Sequence, residues 1–412
     1  MKAVKKLKEE FSFLRGNILI LVVSWVMMGF ASTIPSTYYS LYLVELGGSA
    51  FIIGLIGFLS LIPLALVQFP GGYLADKNGR RELIVTMTFG VALTFVLYAI
   101  APSWHFILIA AILQNLCLIY QPALVAIQHD SLPPEKRGMG FSTMMLINNI
   151  VAVLSPMIAG VLFLSYGLTF GVRVGYTIVV ISYLAAAVVR IKLKETLTGE
   201  TDKVSFREAI RNYPKAVKEG LSVWKGVPRS MLYLFFTFAI DTFAFSLIGP
   251  FMLLYATEVL QIMEFEWALL MAWSSIVVMI SLLPSGKLID KIGRRKPLLV
   301  SWLFFIPALW LFIYGDLTRL FIYYLIVGIS GALYEPTVSA LQADLVPREK
   351  RGKIAGSMRF FNVLLSGVAQ LVGGFLYDYV SPQIPLFFAL AATIPCTLLV
   401  LVLVQEPEKR EI

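Results

Sequence analysis

The sequence Gly72-Tyr-Leu-Ala-Asp-Lys-Asn-Gly-Arg-Arg81 returns in closely related form as Gly286-Lys-Leu-Ile-Asp-Lys-Ile-Gly-Arg-Arg295, which lies 214 positions further along the chain. A second pair of related stretches, 128–138 and 342–352, repeats at the same offset of 214. Because two separate motifs share one offset, the chain is predicted to consist of two halves built on the same plan.

Composition indicates that both halves lie in a membrane. Hydrophobic residues make up 58% of the 412 positions, charged residues only 14%, and the mean hydropathy is +0.81, which exceeds what a soluble core needs. A membrane-spanning helix requires about 20 apolar residues, whereas β-barrel strands are shorter and alternate in polarity. We therefore predict an all-α integral membrane protein with twelve spans. They lie at roughly 17–44, 51–74, 82–101, 104–129, 139–165, 171–192, 229–256, 265–288, 297–314, 318–343, 353–380 and 383–405.

The spans divide the chain into an N-terminal six-helix bundle (1–192), a polar linker (193–228) and a C-terminal six-helix bundle (229–412). Within the linker, residues 206–213 follow Ser205, a plausible N-cap, and form an amphipathic pattern. We expect a surface helix there that either tethers the two bundles on the lipid headgroups or binds a regulatory partner.

Basic residues set the predicted orientation, because cytoplasmic loops carry an excess of lysine and arginine. Of the 34 such residues, 31 fall at the termini or in the loops on one side of the twelve-span arrangement. We expect both termini to be cytoplasmic in a multi-pass protein of the plasma membrane. The net charge of +9 is explained by this topology and by contact with anionic lipid, so no nucleic-acid partner is expected.

The repeated loop also carries a family resemblance. Its pattern, Gly-x-Leu-x-Asp-(Arg/Lys)-x-Gly-(Arg/Lys)-(Arg/Lys), lies between predicted helices 2 and 3 and again between helices 8 and 9, and it resembles the signature loop of the major facilitator superfamily. The resemblance covers the whole chain. It implies two pseudo-symmetric bundles around a central cavity, alternating access by rocking of one bundle against the other, and a small-molecule substrate. One chain would hold a complete pathway, so a monomer without a cofactor is expected.

A conformational latch is predicted at the repeated loops. Gly72 and Gly286 would permit close helix approach, and Gly79 and Gly293 would permit the positive φ of a tight turn. Asp130 would end helix 4, where a carboxylate is disfavoured by the helix dipole and needs a cation nearby. The alternative is that these charges only fix topology and turn shape. The remaining members of the predicted latch are Asp76, Arg80, Arg81 and Arg137 in the first half, and Asp290, Arg294, Arg295, Asp344 and Arg351 in the second.

Ionisable groups inside spans are costly and usually functional, and three stand out: Asp241, Glu335 and Arg359. Glu335 and Arg359 lie at similar depth on consecutive helices, so we expect a pair between them, functional or structural. Asp241 has no adjacent cation in the sequence, and burial should raise the pKa of its carboxyl. It is predicted to carry protons or to bind a cationic substrate; the alternative is a protonated acid hydrogen-bonded to a neighbouring helix.

Other polar side chains on the spans could line the cavity, although each could instead join neighbouring helices. They are Tyr38, Asn115, Gln121, Asn148 and Asn149 in the first half, and Tyr334 and Asn362 in the second. Prolines after Gln121 and Glu335 should permit bends in helices 4 and 10.

The direction of transport rests on a weaker resemblance. Ser155-Pro-Met-Ile-Ala-Gly160 is similar to the Gly-Pro-x-x-Gly-Gly motif of drug/proton antiporters, with serine and alanine in place of two glycines. Their Arg-x-x-Gln-Gly motif corresponds to Ala111-Ile-Leu-Gln-Asn115, which lacks the arginine.

We therefore expect a proton-coupled exporter of amphipathic or cationic compounds, with uptake of a sugar, organic acid or similar metabolite as the alternative. The two histidines, His105 and His129, form no catalytic or metal-binding motif, and the two cysteines, Cys117 and Cys396, fall in spans. These patterns do not favour an enzyme or a metal site. A sensor that binds without transporting remains a further alternative.

Overall fold

The computed structural model describes most of the chain. Described are residues 13–133, 140, 143–144, 146–147, 150, 153–197, 208, 214, 222, 224, 227–345 and 348–403, without the side chains of 69, 283, 287, 290, 335, 339–340, 342–344 and 348–353. The predicted surface helix at 206–213 therefore lies almost entirely outside the described residues.

Six helices are described in the first half of the chain, and α4 is interrupted by a 3-10 turn at Leu118–Tyr120 just before Pro122. Proline has no N–H to donate to the preceding turn, which explains why the helix breaks there. α1 is followed by a short helical segment, Tyr39–Glu45. The helices are α1 (Asn17–Ser36), α2 (Ala50–Asn78), α3 (Arg80–Ile100), α4 (Trp104–Cys117 and Gln121–Ser131), α5 (Ser155–Tyr166) and α6 (Leu168–Arg190).

Six helices are described in the second half as well, and α10 continues through Pro336 without interruption. No 3-10 turn interrupts α10 at Pro336, in contrast to α4, and the bend predicted there stays a prediction. α7 is extended by short 3-10, α and π turns up to Val259. The helices are α7 (Arg229–Ile248), α8 (Glu264–Ile292), α9 (Arg295–Ile313), α10 (Leu317–Leu345), α11 (Arg348–Tyr379) and α12 (Ile384–Val402).

Eleven of the described helices are long and apolar enough to cross a membrane, and each lies in a predicted span. The fifth predicted span, 139–165, is described mainly through the shorter apolar helix α5. The prediction of an all-α membrane fold is therefore confirmed.

Contacts group the chain into two compact units, one containing residues 1–37 and 66–214, the other 38–65 and 215–412. The segment 38–65 joins the second unit because the start of α2 packs closely on α11. A Cβ atom on Gly54 would lie 2.2 Å from the backbone oxygen of Gln370, so only glycine permits this approach. The backbone N–H of Phe51 also donates to Asp378 Oδ2 at 2.7 Å.

Close packing between α2 and α4 in the first unit depends on Gly71, not on Gly72. A Cβ atom on Gly71 would lie 2.1 Å from the backbone oxygen of Ile119, whereas one on Gly72 would meet its nearest neighbour, a Pro122 side-chain atom, at 3.8 Å. A Cβ atom on Gly286 would meet no described atom within 4 Å. The predicted close approach is therefore not found at Gly72, and the adjacent Gly71 fills this role in the first half. The close approach predicted at Gly286 stays a prediction, because several side chains of α8 and α10 lie outside the described residues.

The turn between α2 and α3 is confirmed as a positive-φ glycine turn, with φ of 97° at Gly79 and 89° at its repeat mate Gly293. α3 begins without a cap from its own N-cap residue. Glu195 supplies one instead, because its Oε2 accepts the backbone N–H of Arg81 at 2.9 Å. Burial raises the pKa of the Glu195 carboxyl, but backbone N–H groups, first that of Arg81, outweigh burial and lower it below its ordinary value.

Gly71→Ala should destabilise the protein by about 1–3 kcal/mol, because overpacking against a backbone oxygen cannot be relieved by a rotamer change. Gly72→Ala is the matched control: it adds the same methyl group to the same helix, where space exists, and should leave stability unchanged or slightly improved. Thermal unfolding of the two purified variants in detergent compares them. Equal unfolding temperatures would contradict this account of α2–α4 packing.

Glu195→Gln should cost about 1 kcal/mol at pH 7, the usual value of an N-cap. Because the pKa is lowered on folding, the carboxylate stabilises the protein above the ordinary value of 4.5, and this contribution is lost as the pH falls through the folded-state pKa. Unfolding temperatures of variant and wild type should therefore converge once the pH lies below the lowered folded-state pKa. Glu82→Gln, which removes an exposed carboxylate from the same helical turn, is the control and should shift the unfolding temperature less. A pH-independent difference for Glu195→Gln would contradict the cap.

Candidate functional site

A cavity of about 500 Å³ opens within the second unit between α7, α9, α10 and α11. Its walls are largely aromatic, and its polar lining includes the carboxyl group of Asp241. The lining residues are Phe238, Asp241, Thr242, Phe245, Ser246, Ser301, Trp302, Phe305, Val327, Ser330, Gly331, Tyr334, Val338 and Asn362. This size and mixture are typical of small-molecule sites.

Asp241 lies twelve residues into α7, about 18 Å from Arg229 along the helix, and is only 8% exposed. Trp302 Nε1–H donates to Asp241 Oδ1 at 3.1 Å, and the Tyr334 hydroxyl donates to Oδ2 at 2.6 Å. Both carboxyl oxygens accept, which is the role of the ionised form. The donors come from α9 and α10, so Asp241 makes the hydrogen bonds to neighbouring helices that the structural alternative predicted, and it lines the cavity as well.

Two more polar atoms on the cavity wall are buried without a hydrogen-bond partner in the described part of the chain. They are Ser330 Oγ and Asn362 Oδ1. Buried polar atoms are nearly always paired, so each exception needs an explanation. A ligand that carries hydrogen-bond donors would satisfy both, because each can accept.

A second cavity of about 460 Å³ also lies in the second unit, and Asn362 lines both. Half of its lining residues are polar side chains of α11, namely Arg359, Asn362, Ser366 and Gln370. The side chain of Glu335 lies outside the described residues, so the Glu335–Arg359 pair stays a prediction.

The other predicted cavity residues are differently placed. Tyr38 is 1% exposed, and its hydroxyl donates to the backbone oxygen of Glu264 at 2.8 Å. Asn115 Nδ2 donates to the backbone oxygen of Ala111 in its own helix at 2.9 Å. Gln121 is half-buried at the start of the second part of α4. Asn148 and Asn149 lie outside the described residues.

Arg80 forms a charge cluster at the α2–α3 turn, as the latch hypothesis predicts for the first half. Its Nη1 contacts Asp130 Oδ2 and lies 3.1 Å from Thr196 Oγ1, and its Nη2 lies 3.4 Å from Asp76 Oδ1. The side chain of Arg80 is 15% exposed, while those of Asp76 and Asp130 are 68% and 42% exposed. The arginine therefore bridges the ends of α2 and α4 at a partly hydrated site.

The second arginine of each repeated loop binds the C-terminal end of a helix. Arg81 Nη2 donates to the backbone oxygen of Ile191, just after α6, at 2.7 Å. Its repeat mate Arg295 donates through Nε to Val400 at 3.1 Å and through Nη2 to Leu401, in the last turn of α12. Cations are favourable there because unpaired carbonyls point out of the helix end. Sequence analysis assigned both arginines of the loop one role and missed this division between them.

The remaining latch residues are only partly described. Gly293 forms the predicted turn, and Arg294 is half-buried beside it. Asp290 has no described side chain, and Arg137, Asp344 and Arg351 also lie outside the described side chains. The second-half latch therefore stays a prediction.

Arg190 is the largest polar feature that sequence analysis missed. It was counted among the basic residues that set topology, yet the structure buries it completely, at 0% exposure. Its Nε donates to Ser24 Oγ at 3.0 Å and its Nη1 donates to Thr88 Oγ1 at 2.8 Å. Its position at the end of an apolar span gave no sign that the side chain would turn inward.

Comparison with known proteins agrees with this architecture. The profile of the Major Facilitator Superfamily matches residues 19–240 and 234–412. An uncharacterised MFS-type transporter of Methanocaldococcus jannaschii is 23% identical over 97% of both chains. The multidrug resistance protein MdtG of Escherichia coli is 23% identical over 86% of this chain and 85% of its own.

Among solved structures, the human organic anion transporter MFSD10 matches with a TM-score of 0.67 at 17% identity, over 93% of this chain and 98% of its own. At that identity the likeness concerns the fold alone. The two profile matches together cover nearly the whole chain and fall on the two repeated halves. This chain belongs to the Major Facilitator Superfamily and is a multi-pass membrane transporter, not an enzyme.

Proposed function

We propose that this chain exports lipophilic organic cations in exchange for protons, and that the cavity beside Asp241 holds the substrate. The observation that carries the proposal is a buried carboxylate inside a cavity of about 500 Å³ with aromatic walls. A cation is attracted both by the carboxylate and by the faces of Trp302 and Tyr334, while the apolar body of the substrate fills the remaining volume. The name of the relative MdtG, a multidrug resistance protein, is consistent with this substrate class.

Proton coupling follows if the proton and the organic cation compete for Asp241. The ionised carboxylate attracts the cation, and protonation removes that attraction and releases it. A carboxylate in a span is costly unless it is compensated, so one positive species replaces the other as the transporter changes state. Alternating access of the cavity then converts this competition into exchange.

The Arg80 cluster would act as the latch of this cycle. Exposed ion pairs stabilise by about 0.2–1 kcal/mol each, which is strong enough to favour one conformation and weak enough to break in every cycle. We place both termini and the repeated loops in the cytoplasm of a plasma-membrane protein, with bundles at 1–192 and 229–412 joined by the linker 193–228. The chain would act as a monomer.

A second candidate function, uptake of a polar metabolite, is favoured by the cavity of about 460 Å³ on α11. Arg359, Asn362, Ser366 and Gln370 line it, and such groups would bind the hydroxyls of a sugar or the carboxylate of an organic acid. The class of compound that drives proton movement separates the two candidates.

Asp241→Asn should lower proton efflux driven by an organic cation at least about tenfold, which corresponds to a loss of about 1.4 kcal/mol of interaction. Proteoliposomes are loaded with a pH indicator, and a proton gradient is set across their membrane. Ethidium, sugars or organic acids are then added one at a time, and the change in internal pH is measured. Wild type should release protons on addition of ethidium. Proton movement with a sugar or an organic acid alone would favour the second candidate.

The control is Glu258→Gln, which removes another carboxyl from the α7 extension, where it accepts from the Tyr377 hydroxyl at 2.9 Å outside the cavity. Its proton efflux should equal that of wild type. Ethidium-driven efflux at the wild-type rate in Asp241→Asn would refute the role of Asp241.

Asp130→Asn should slow substrate exchange about two- to fivefold, the effect of losing one exposed ion pair, while membrane insertion is unchanged. Asp76→Asn should act in the same direction but less, because its contact with Arg80 is long and more exposed. Initial counterflow rates in vesicles, normalised to inserted protein, measure both. The control is Asp316→Asn, which breaks a comparable exposed pair with Arg319 and should leave the exchange rate unchanged. A wild-type rate in Asp130→Asn would contradict the latch and leave the charges around Arg80 with a role in topology alone.

A further inference from the structure

Among the described residues of the first unit, no Asp or Glu pairs with Arg190. Residues 11–37, 66–75, 83–129 and 138–194 of the first unit contain no Asp or Glu. Of the acids at the edges of these ranges, Asp76 and Asp130 contact Arg80, and Glu195 caps α3. A long basic side chain at the end of a span would normally extend outward to the headgroups. This one turns inward instead.

At its described contacts, the guanidinium of Arg190 meets only neutral groups. Ser24 and Thr88 lie about 10 and 12 Å inside α1 and α3, counted from the first residue of each helix. Each hydroxyl donates its own hydrogen to a carbonyl of its helix and accepts from the arginine. The ring of Tyr120 lies 5.7 Å from the Arg190 Cζ atom. These groups solvate the positive charge without neutralising it.

One donor of the guanidinium is left over. Arg190 Nη2 is buried and has no acceptor in the described part of the chain. Buried charged donors without an acceptor are strongly disfavoured, so Nη2 is a suitable point for an anion to bind. The 3-10 turn at Leu118–Tyr120 interrupts α4 beside it, and such irregular turns often mark hinges.

The internal repeat gives independent support. At the offset of 214, Thr88 corresponds to Trp302 and Tyr120 to Tyr334. Trp302 and Tyr334 both donate to Asp241 in the second half, while in the first half the same two positions contact Arg190. The chain therefore uses equivalent positions to hold a buried charge in each half, with opposite sign.

We propose that Arg190, Ser24, Thr88 and Tyr120 form an anion site in the first unit, which binds one small monovalent anion through Arg190 Nη2. Chloride or the carboxylate of a small solute could supply the charge. Because Arg190 is fully buried and offers one open donor group, the site would exclude bulky anions. This site is separate from the proposed cation cavity and does not depend on that function.

The experiment measures the unfolding temperature of the purified full-length protein in detergent, at constant ionic strength, as bulky gluconate is replaced by chloride in one series and by formate in another. Binding to the folded state raises the unfolding temperature in a saturable way. We expect a rise of about 2 °C or more in wild type. A rise with chloride alone would identify chloride as the anion, and a rise with both ions would show that a small carboxylate binds as well. Arg190→Gln should abolish the rise.

Arg173→Gln is the matched control, because it removes another arginine from α6 whose Nη2 already donates to the backbone oxygen of Ala101 at 2.7 Å. It should keep the anion response. If Arg190→Gln does not fold, Ser24→Ala provides the test: it frees the Nε donor, so half-maximal stabilisation should occur at a lower anion concentration. The proposal is wrong if neither anion stabilises wild type, if Arg190→Gln responds like wild type, or if Ser24→Ala leaves the anion dependence unchanged.

Discussion

The cost of placing an ionised group inside an apolar helix bundle governs where this protein keeps its charge. Nearly all of the charged residues that the structure describes lie at or near helix ends. Two described charged side chains are nevertheless buried: that of Asp241 inside α7, at 8% exposure, and that of Arg190, which ends α6 but turns inward, at 0%. Each contacts hydroxyl, indole or ring groups of neighbouring helices. These groups are neutral, so none of these contacts supplies an opposite charge.

The arginines at helix ends differ in the groups that they bind. Arg81 and Arg295 bind backbone carbonyls at the ends of α6 and α12, a role that is fulfilled in any state in which those helices exist. Arg80 instead binds the side chains of Asp76 and Asp130, which belong to two other helices. One loop therefore makes both side-chain and backbone contacts, and its repeat makes the backbone contact again in the second half.

Much of this architecture could be predicted from the sequence, because lipid forces long apolar helices and the internal repeat marks their order. Asp241 could also be found, since an acid in an apolar stretch is conspicuous. Arg190 could not: a basic residue at the end of a span is already explained by topology, and only the packing of α1, α3 and α6 reveals that it points inward. The exchange of roles between Gly72 and Gly71 was equally hidden, because adjacent glycines differ by about 100° around a helix and the sequence does not say which one faces α4.

Trp302 and Tyr334 are neutral donors to Asp241, and this bears on how readily the proposed site can exchange ligands. Removing the arginine from a buried arginine–carboxylate pair destabilises a protein by about 3–5 kcal/mol, so a cation that displaces such a partner must overcome a strong interaction. Hydrogen bonds from neutral groups contribute only about 0.5–1.5 kcal/mol each. The bonds from Trp302 and Tyr334 therefore orient Asp241 at a low cost to an incoming cation. The same logic applies with reversed sign to Arg190, whose neutral acceptors fix the guanidinium and leave Nη2 open. A transporter needs sites that are ordered before the ligand arrives and that give it up again, and neutral partners around a buried charge meet both requirements.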